Sequence, residues 1–454
     1  MNLAKNLRKY FIRRFRVEVK LERSNFMAKV KNENIIHEDF PLSAVPQGRR
    51  QSFWSLAVVL LGFTYYTGTM FAGGTIGAGF DFKTLVWVIL LGNLILGGYS
   101  AVLAWIAARS GLTTVLMARH SFGKYGARWV DFLLGFTQVG WYGWSTAMTA
   151  AVFATLFGIP TWIPALMILF GFAFCSTAFV GYKGIAWLST VAVPAMTVLM
   201  VWSIAIALKD AGETRAINQI IPSAPMSFAA GLTVVVGTYI SGGLQSTNWS
   251  RFAKSGFDAA STTLLAFFIG NGFMIVAGAL GAFVYQQADM VQVFVKQGLL
   301  GFGVALLILN IWTSQDNTIY AFSIAACTAF HTPNRRFFVL IGAAVGTVIA
   351  LAGIYDQLVP FLCLLGTIIP PVGGVICADY FIKHKRKFPD LDKLELCKFN
   401  WTGILSYVVG LLVAQFIPGI PPINGAIGSL IAYPILDFLF RRAGYAQDNK
   451  EIAA

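Results

Sequence analysis

The chain has 454 residues, 57% of them hydrophobic and only 12% charged, with a mean hydropathy of +0.68. A soluble domain carries about 25% charged residues because water must wet its surface, so soluble enzymes, disulfide scaffolds and disordered chains are excluded. The net charge of +14, from 34 Lys and Arg against 20 Asp and Glu, then fits only a chain whose apolar surface meets lipid and whose basic residues sit in loops.

Residues 1–26 hold eight Lys or Arg and two Glu, with no apolar signal-peptide core directly after them. They read either as a basic amphipathic segment on the cytoplasmic leaflet or as an extension ahead of an alternative start at Met27. A bilayer-crossing helix needs roughly 20 mostly apolar residues. Such runs recur at 54–79, 85–108, 131–156, 161–180, 186–208, 228–250, 260–284, 299–329, 336–353, 357–382, 401–418 and 425–440. Twelve transmembrane helices are therefore expected. The third and fourth are parted only by Gly158-Ile159-Pro160, and the last is short. With the N-terminus in the cytoplasm, 30 of the 34 basic residues fall on the cytoplasmic side, against Lys83, Lys209, Arg215 and Lys296 opposite. The positive charge is thus an orientation signal, with both termini cytoplasmic, and no nucleic-acid partner is expected. Five unpaired cysteines imply neither a disulfide nor a zinc site. The histidines His37, His120, His331 and His384 all fall in polar segments, so no metal ligation inside the membrane is expected.

Two spans are interrupted by glycine and hydroxyl residues at mid-depth. Thr64-Tyr65-Tyr66-Thr67-Gly68 in the first lines up with Thr238-Tyr239-Ile240-Ser241-Gly242 in the sixth. In lipid, broken backbone is tolerated only within protein or around a cavity. Paired interruptions in corresponding positions of two halves are the signature of inverted-repeat transporters. Gly73-x-x-x-Gly77 alone would read as close helix packing.

Polar residues inside apolar runs mark the candidate site. In the third span Gln138 and Trp141 are three residues apart, hence on one helical face. An amide beside an indole plane suits a flat heterocycle, although a lone Trp also serves as an interfacial anchor. The eighth span carries Asn310, Thr313, Ser314, Gln315 and Asp316, its densest polar cluster. Neutral oxygens on Thr313 and Ser314, with carbonyls freed by a broken helix, suit a sodium-type cation. Asp316 is the only acidic residue placed deep in a span. It reads as a candidate proton site or as a hydrogen-bonded structural carboxylate.

Several stretches in order carry a resemblance: Val45-Pro46-Gln47, Gly111-Leu112-Thr113-Thr114, Ala118-Arg119 with Ser121-Phe122-Gly123, Thr137-Gln138-Val139-Gly140-Trp141, Asn310-Ile311-Trp312-Thr313, Ile369-Pro370-Pro371-Val372-Gly373-Gly374, and Ala378-Asp379-Tyr380. Over about residues 40–440 the chain resembles the nucleobase:cation symporter-1 family, and within it the carriers of cytosine. The resemblance implies an all-α integral membrane protein with a LeuT-like five-plus-five inverted repeat, in which helices 1 and 6 are discontinuous. The parts would be a cytoplasmic segment 1–50, a first repeat 51–208 and a second repeat 209–382. A basic loop 383–400, two further helices in 401–440 and a tail 441–454 would follow.

The same resemblance implies that a base lies between the Trp141 and Tyr239 rings, closed off by Tyr66. Gln138, Thr238, Ser241, Gly242, Asn310 and Gln315 would contact its edges, some through backbone. Sodium would sit against the carbonyls of Gly62 and Tyr65 with Asn310, Thr313 and Ser314. Relative to the family's cytosine carriers, Tyr66 and Tyr239 stand for phenylalanines, Thr238 for serine, Gly242 for alanine, Ser314 for threonine and Gln315 for asparagine. The expected function is cytosine import by sodium symport across the cytoplasmic membrane, by a monomer without cofactor. Uracil, a purine, a hydantoin or an allantoin-like ureide are alternative cargoes, and protons an alternative coupling ion. A membrane enzyme would need an acid, base or metal constellation that Asp316 alone does not provide. A channel would lack the paired broken helices.

Overall fold

In a computed structural model, residues 43–180, 182–212, 221–330, 334–445 and 449–451 are described. The basic segment 1–26 and the Met27 start lie outside them. Helices start where a small polar side chain precedes an apolar run and caps the free N–H groups. Ser52 caps α1 (Phe53–Thr64), which a break at Tyr65-Tyr66 separates from α2 (Thr67–Gly77). Asp81 caps α3 (Phe82–Ser110) and Thr113 caps α4 (Thr114–Phe157), each closed by a left-handed glycine, Gly111 and Gly158. Then come α5 (Ile163–Ala173), α6 (Cys175–Val180) and α7 (Tyr182–Asp210). The second interrupted segment is α8 (Phe228–Gly237), α9 (Ile240–Gln245) and α10 (Thr247–Ser250). Next, α11 (Gly256–Leu265) passes through a π-helical stretch, Ala266–Asn271, into α12 (Gly272–Tyr285).

A short α13 (Met290–Lys296), absent from the expected spans, precedes α14 (Leu300–Phe330) and α15 (Arg335–Leu351). The last elements are α16 (Leu358–Ile368), α17 (Pro370–Ala378), α18 (Trp401–Phe416) and α19 (Pro421–Arg442). The loop strand β1 (Leu394–Glu395) pairs antiparallel with the tail strand β2 (Lys450–Glu451).

Every expected span coincides with helix, with two differences of extent. The third begins seventeen residues early, at Thr114 rather than 131, since α4 includes a polar turn ahead of a positive-φ kink at Gly123 (φ 79°). The last helix is 22 residues long rather than short. Among the described residues, four helical stretches are long and apolar enough to cross a bilayer unbroken: Phe82–Ser110, Gly256–Tyr285, Ile354–Lys383 and Pro421–Arg442. Two further pairs qualify only when joined across a bend, 59° between α1 and α2 and 42° between α8 and the segment starting at Ile240. Large apolar side chains lie on the outside, among them Trp54, Val58, Phe132, Leu169, Val198 and Phe438, all more than half exposed. Water would not tolerate so continuous an apolar surface; lipid does.

Polar groups and glycines position the two bends. The segment before α1 is clasped by Arg50, whose Nη1 donates to the carbonyls of Ala108, Arg251 and Ala253 at 2.6–3.0 Å. A cation there satisfies carbonyls that the ends of α3 and α10 leave open. On α2, a Cβ at Gly73 or Gly77 would meet the carbonyl oxygens of Ile275 or Ala279 on α12 at 2.3 and 2.1 Å. That glycine pair serves backbone-to-backbone packing, and the break lies one turn and more before it.

Candidate functional site

Both breaks fall at the aligned Thr-Tyr pairs, and each threonine turns its hydroxyl back to the carbonyl three residues earlier. Thr64 donates to Leu61 (3.0 Å) and to Ala266 in the π stretch (3.0 Å). Thr238 donates to Val235 (2.6 Å) and accepts from Asn271 Nδ2 (3.3 Å) at the end of that stretch. Side-chain bonds of this kind compete with the helical ladder and loosen it locally.

Of the tyrosines beside the breaks, Tyr66 packs on Trp141 of α4 and Tyr239 packs on Tyr66. The Tyr66 ring stands edge-on to Trp141 (5.3 Å, 85°) and to Tyr239 (6.3 Å, 76°). Its hydroxyl is hydrogen-bonded to Ser145 Oγ at 2.5 Å. The Tyr239 hydroxyl donates to the Phe63 carbonyl, tying the second break to the first. Trp141 is further packed by Phe361 (5.3 Å) and Trp144 (6.0 Å). Gln138, three residues before Trp141, is buried at 8% exposure, and its amide has no protein hydrogen bond among the described residues. Gly242 and Ser241 are buried beside Tyr239, and a Cβ at Gly242 would stand 2.2 Å from the Tyr239 ring.

Around the first break, Leu61, Gly62, Phe63 and Thr64 supply the last carbonyls of α1, for which a helix end offers no full set of donors. Tyr65 caps that end with φ −80° and ψ 85°. Asn310 on α14 faces the other side of the break, its Oδ1 accepting from Thr67 Oγ1 at 2.6 Å. Ser314, half-buried, donates to the Asn310 carbonyl (3.1 Å). The Thr313 side chain lies outside the described residues.

Other candidates have their groups committed elsewhere. Gln315 is fully buried with Nε2 donating to the Tyr142 carbonyl (2.8 Å) and Thr146 Oγ1 (3.3 Å), so that donor clamps α14 to α4. Its Oε1 is buried without a hydrogen-bond partner among the described residues. The Thr238 hydroxyl is likewise engaged, as given above. The buried carboxylate of Asp316 accepts from the Ala178 N–H (2.9 Å) on α6.

Asn93 and Asn271 were missed in the sequence. Asn271 is fully buried; its Oδ1 accepts from Thr69 (3.1 Å) and its Nδ2 donates to Asn93 Oδ1 (3.0 Å) and to Thr238. One amide thus joins α2, α3 and the second break. The signal available was an amide alone in each of two apolar runs.

Two further groups that the sequence did not single out are buried in the protein. Near the end of the span 357–382, Asp379 is as buried as Asp316 (0% exposed), accepting from Ser121 Oγ (2.8 Å) and the Tyr433 hydroxyl (2.6 Å), with His384 Nε2 at 3.5 Å. His120, though in a polar stretch, is buried and stacked on Phe388 at 4.5 Å. Both its ring nitrogens lack a hydrogen-bond partner among the described residues, and desolvation pushes its pKa down to about 3.

Comparison with known proteins adds to this geometry. Residues 44–435 match the family described as permease for cytosine/purines, uracil, thiamine and allantoin. The chain is 36% identical over 404 residues to the cytosine permease of Escherichia coli strain K12, covering 89% of this chain and 95% of that one. Among solved structures it is similar to Mhp1 in an inward-facing conformation, with a TM-score of 0.78 at 18% identity over 88% of this chain and 94% of that one. It is also similar to Mhp1, a nucleobase-cation-symport-1 family transporter, in a closed conformation with bromovinylhydantoin bound. There the TM-score is 0.74 at 19% identity, over 88% and 96%.

Proposed function

We propose, from the premise that this chain belongs to the family of permeases for cytosine/purines, uracil, thiamine and allantoin, that it imports cytosine together with sodium. The family is one of multi-pass membrane transporters, and the chain is a transporter rather than an enzyme. The observation that carries the cargo class is the Trp141 ring with an unengaged Gln138 amide on the same helical face, beside two broken helices. A flat heterocycle needs such a stacking plane and edge hydrogen bonds. The likeness to the E. coli permease makes cytosine the cargo to test first.

Sodium is assigned to the gap between the end of α1 and α14. In this proposal the Gly62 and Tyr65 carbonyls supply one side, and Asn310 and Ser314 the other; the sequence offers Thr313 as a further ligand. Hard monovalent cations take neutral oxygens of this kind, and discontinuous helices expose them. Asp316, engaged by Ala178, is left a structural carboxylate and not a proton relay. Cytosine and sodium bound together favour an occluded state, and the two five-helix repeats then rock to open inward. The protein works as a monomer in the cytoplasmic membrane, both termini inside.

The test is uptake of labelled cytosine into cells expressing the protein, competed by unlabelled cytosine, uracil, adenine, hydantoin and allantoin. Strong competition by cytosine alone supports the assignment. No saturable uptake of labelled cytosine, with saturable uptake of another base of the panel supplied in labelled form, transfers the site to that cargo.

A further inference from the structure

The Tyr66 ring occupies the place where a planar cargo would be received. Trp141 and Tyr239, the two walls expected for the slot, each meet Tyr66 edge-on rather than one another. Two features hold the ring there, and a third lets it move. Its hydroxyl is hydrogen-bonded to Ser145 Oγ at 2.5 Å, with both residues buried. Gly68 leaves the space that the ring fills, since a Cβ at that position would lie 2.5 Å from ring carbon Cε1. Tyr66 is also the extended residue (φ −127°, ψ 128°) directly before α2, so its side chain can swing without unwinding either helical half.

We propose that Tyr66 is a plug in the cargo slot, that Ser145 is the positioning residue that latches it, and that cargo competes with the Tyr66 ring for Trp141. This rests on the reading of the slot as the cargo site. The Tyr66 hydroxyl is spent on the protein and is not a recognition group for the base. Ser145 lies four residues after Trp141 on α4, so the stacking plane and the latch share one face of one helix. A helical serine can also turn its hydroxyl to the carbonyl four residues back, here that of Trp141, so release of the latch leaves Ser145 satisfied. Tyr239 differs: its hydroxyl is bound to a main-chain carbonyl, that of Phe63.

Population arithmetic makes the proposal testable. If the slot is mostly plugged, the apparent affinity for cargo is the intrinsic affinity reduced by the open fraction. Weakening the latch should therefore tighten binding, the reverse of what loss of a recognition group does. Ser145→Ala leaves a buried phenol hydroxyl without its partner and destabilises the plugged state most, whereas Tyr66→Phe removes both needs at once.

The experiment is equilibrium binding of labelled cytosine to the purified full-length protein in sodium buffer, with wild type, Ser145→Ala, Tyr66→Phe and the double variant. The expected result is an apparent Kd lowered about three- to tenfold by Ser145→Ala and less by Tyr66→Phe, with the double variant returning to the Tyr66→Phe value. Should Ser145→Ala purify poorly, Tyr66→Phe carries the same sign test. Weaker or unchanged binding in the single variants, or effects that multiply in the double, overturns the plug while leaving the cargo site standing. A wild type with no saturable binding of cytosine, or of any base in the competition panel, overturns the cargo reading and the plug together.

Discussion

The two helix breaks share a sequence pattern yet are tied down differently. At the first, the tyrosine hydroxyl bonds a side chain, Ser145, and the neighbouring Thr67 meets the amide of Asn310 on α14. At the second, the tyrosine hydroxyl bonds main chain, and the threonine is held by Asn271 within a fully buried amide network reaching Asn93 and Thr69. Tyr66 and Thr67 at the first break end on side chains that can change partner, while Thr64 there, like Tyr239 and Thr238 at the second, is tied to main chain or to the buried amide network. An inverted repeat can thus duplicate a break and still hold the two copies differently; in the proposed function the first meets cargo and ion and the second holds the reference position.

Substitutions probe that division from the largest effect downward. Trp141→Ala removes the proposed stacking plane, against which Tyr66 packs, and saturable cytosine uptake should vanish while insertion in the membrane persists. Asn310→Ala should follow, with uptake reduced at least tenfold and its sodium dependence flattened, measured as initial rates over a sodium series. Asn271→Ala acts at the anchored break. It should cost about 1–3 kcal/mol of stability by leaving buried partners unsatisfied, read as a lower melting temperature of the purified protein, with cytosine affinity kept in the folded fraction. An Asn271 variant that melts normally but loses sodium dependence would erase the distinction between the breaks.

Tyr239→Phe removes one hydrogen bond to main chain and should cost about 0.5–1.5 kcal/mol, without the tighter binding expected of Tyr66→Phe. The smallest effect belongs to His120, remote from both breaks. Its pKa is lowered from 6.5 to about 3 by burial, so the unfolded chain binds this proton first. Stability is therefore full above about pH 6.5 and declines as pH falls from there toward about 3. His120→Phe keeps the stack on Phe388 and never charges, so its melting temperature should drop less than that of wild type between about pH 7.5 and pH 5.5.

Much of this frame is legible in the residues themselves. A run of twenty apolar residues has one stable form in lipid, and a Thr-Tyr-hydroxyl-Gly cluster inside such a run has few reasons to exist besides a break. Gln138 and Trp141 share a face by spacing alone. What the sequence hides is which polar group is already spent. Gln315 reads as an edge contact until its donor is seen on the Tyr142 carbonyl. Asn93 and Asn271 read as isolated amides until the fold brings 178 residues of chain separation to 3.0 Å. The burial of Asp379 and His120 is not legible in the sequence because it comes from α19 for the first and from the loop after α17 for the second, far along the chain from each.

The central claim is that sodium drives cytosine through the slot between Trp141 and the two breaks. Its most direct test is proteoliposomes of purified protein loaded with choline buffer and diluted into sodium buffer containing labelled cytosine. The account predicts transient accumulation of cytosine above its external concentration, abolished when sodium is equal on both sides and absent from Trp141→Ala. Accumulation that persists in choline throughout, driven by a proton gradient instead, would contradict it and return the coupling role to Asp316.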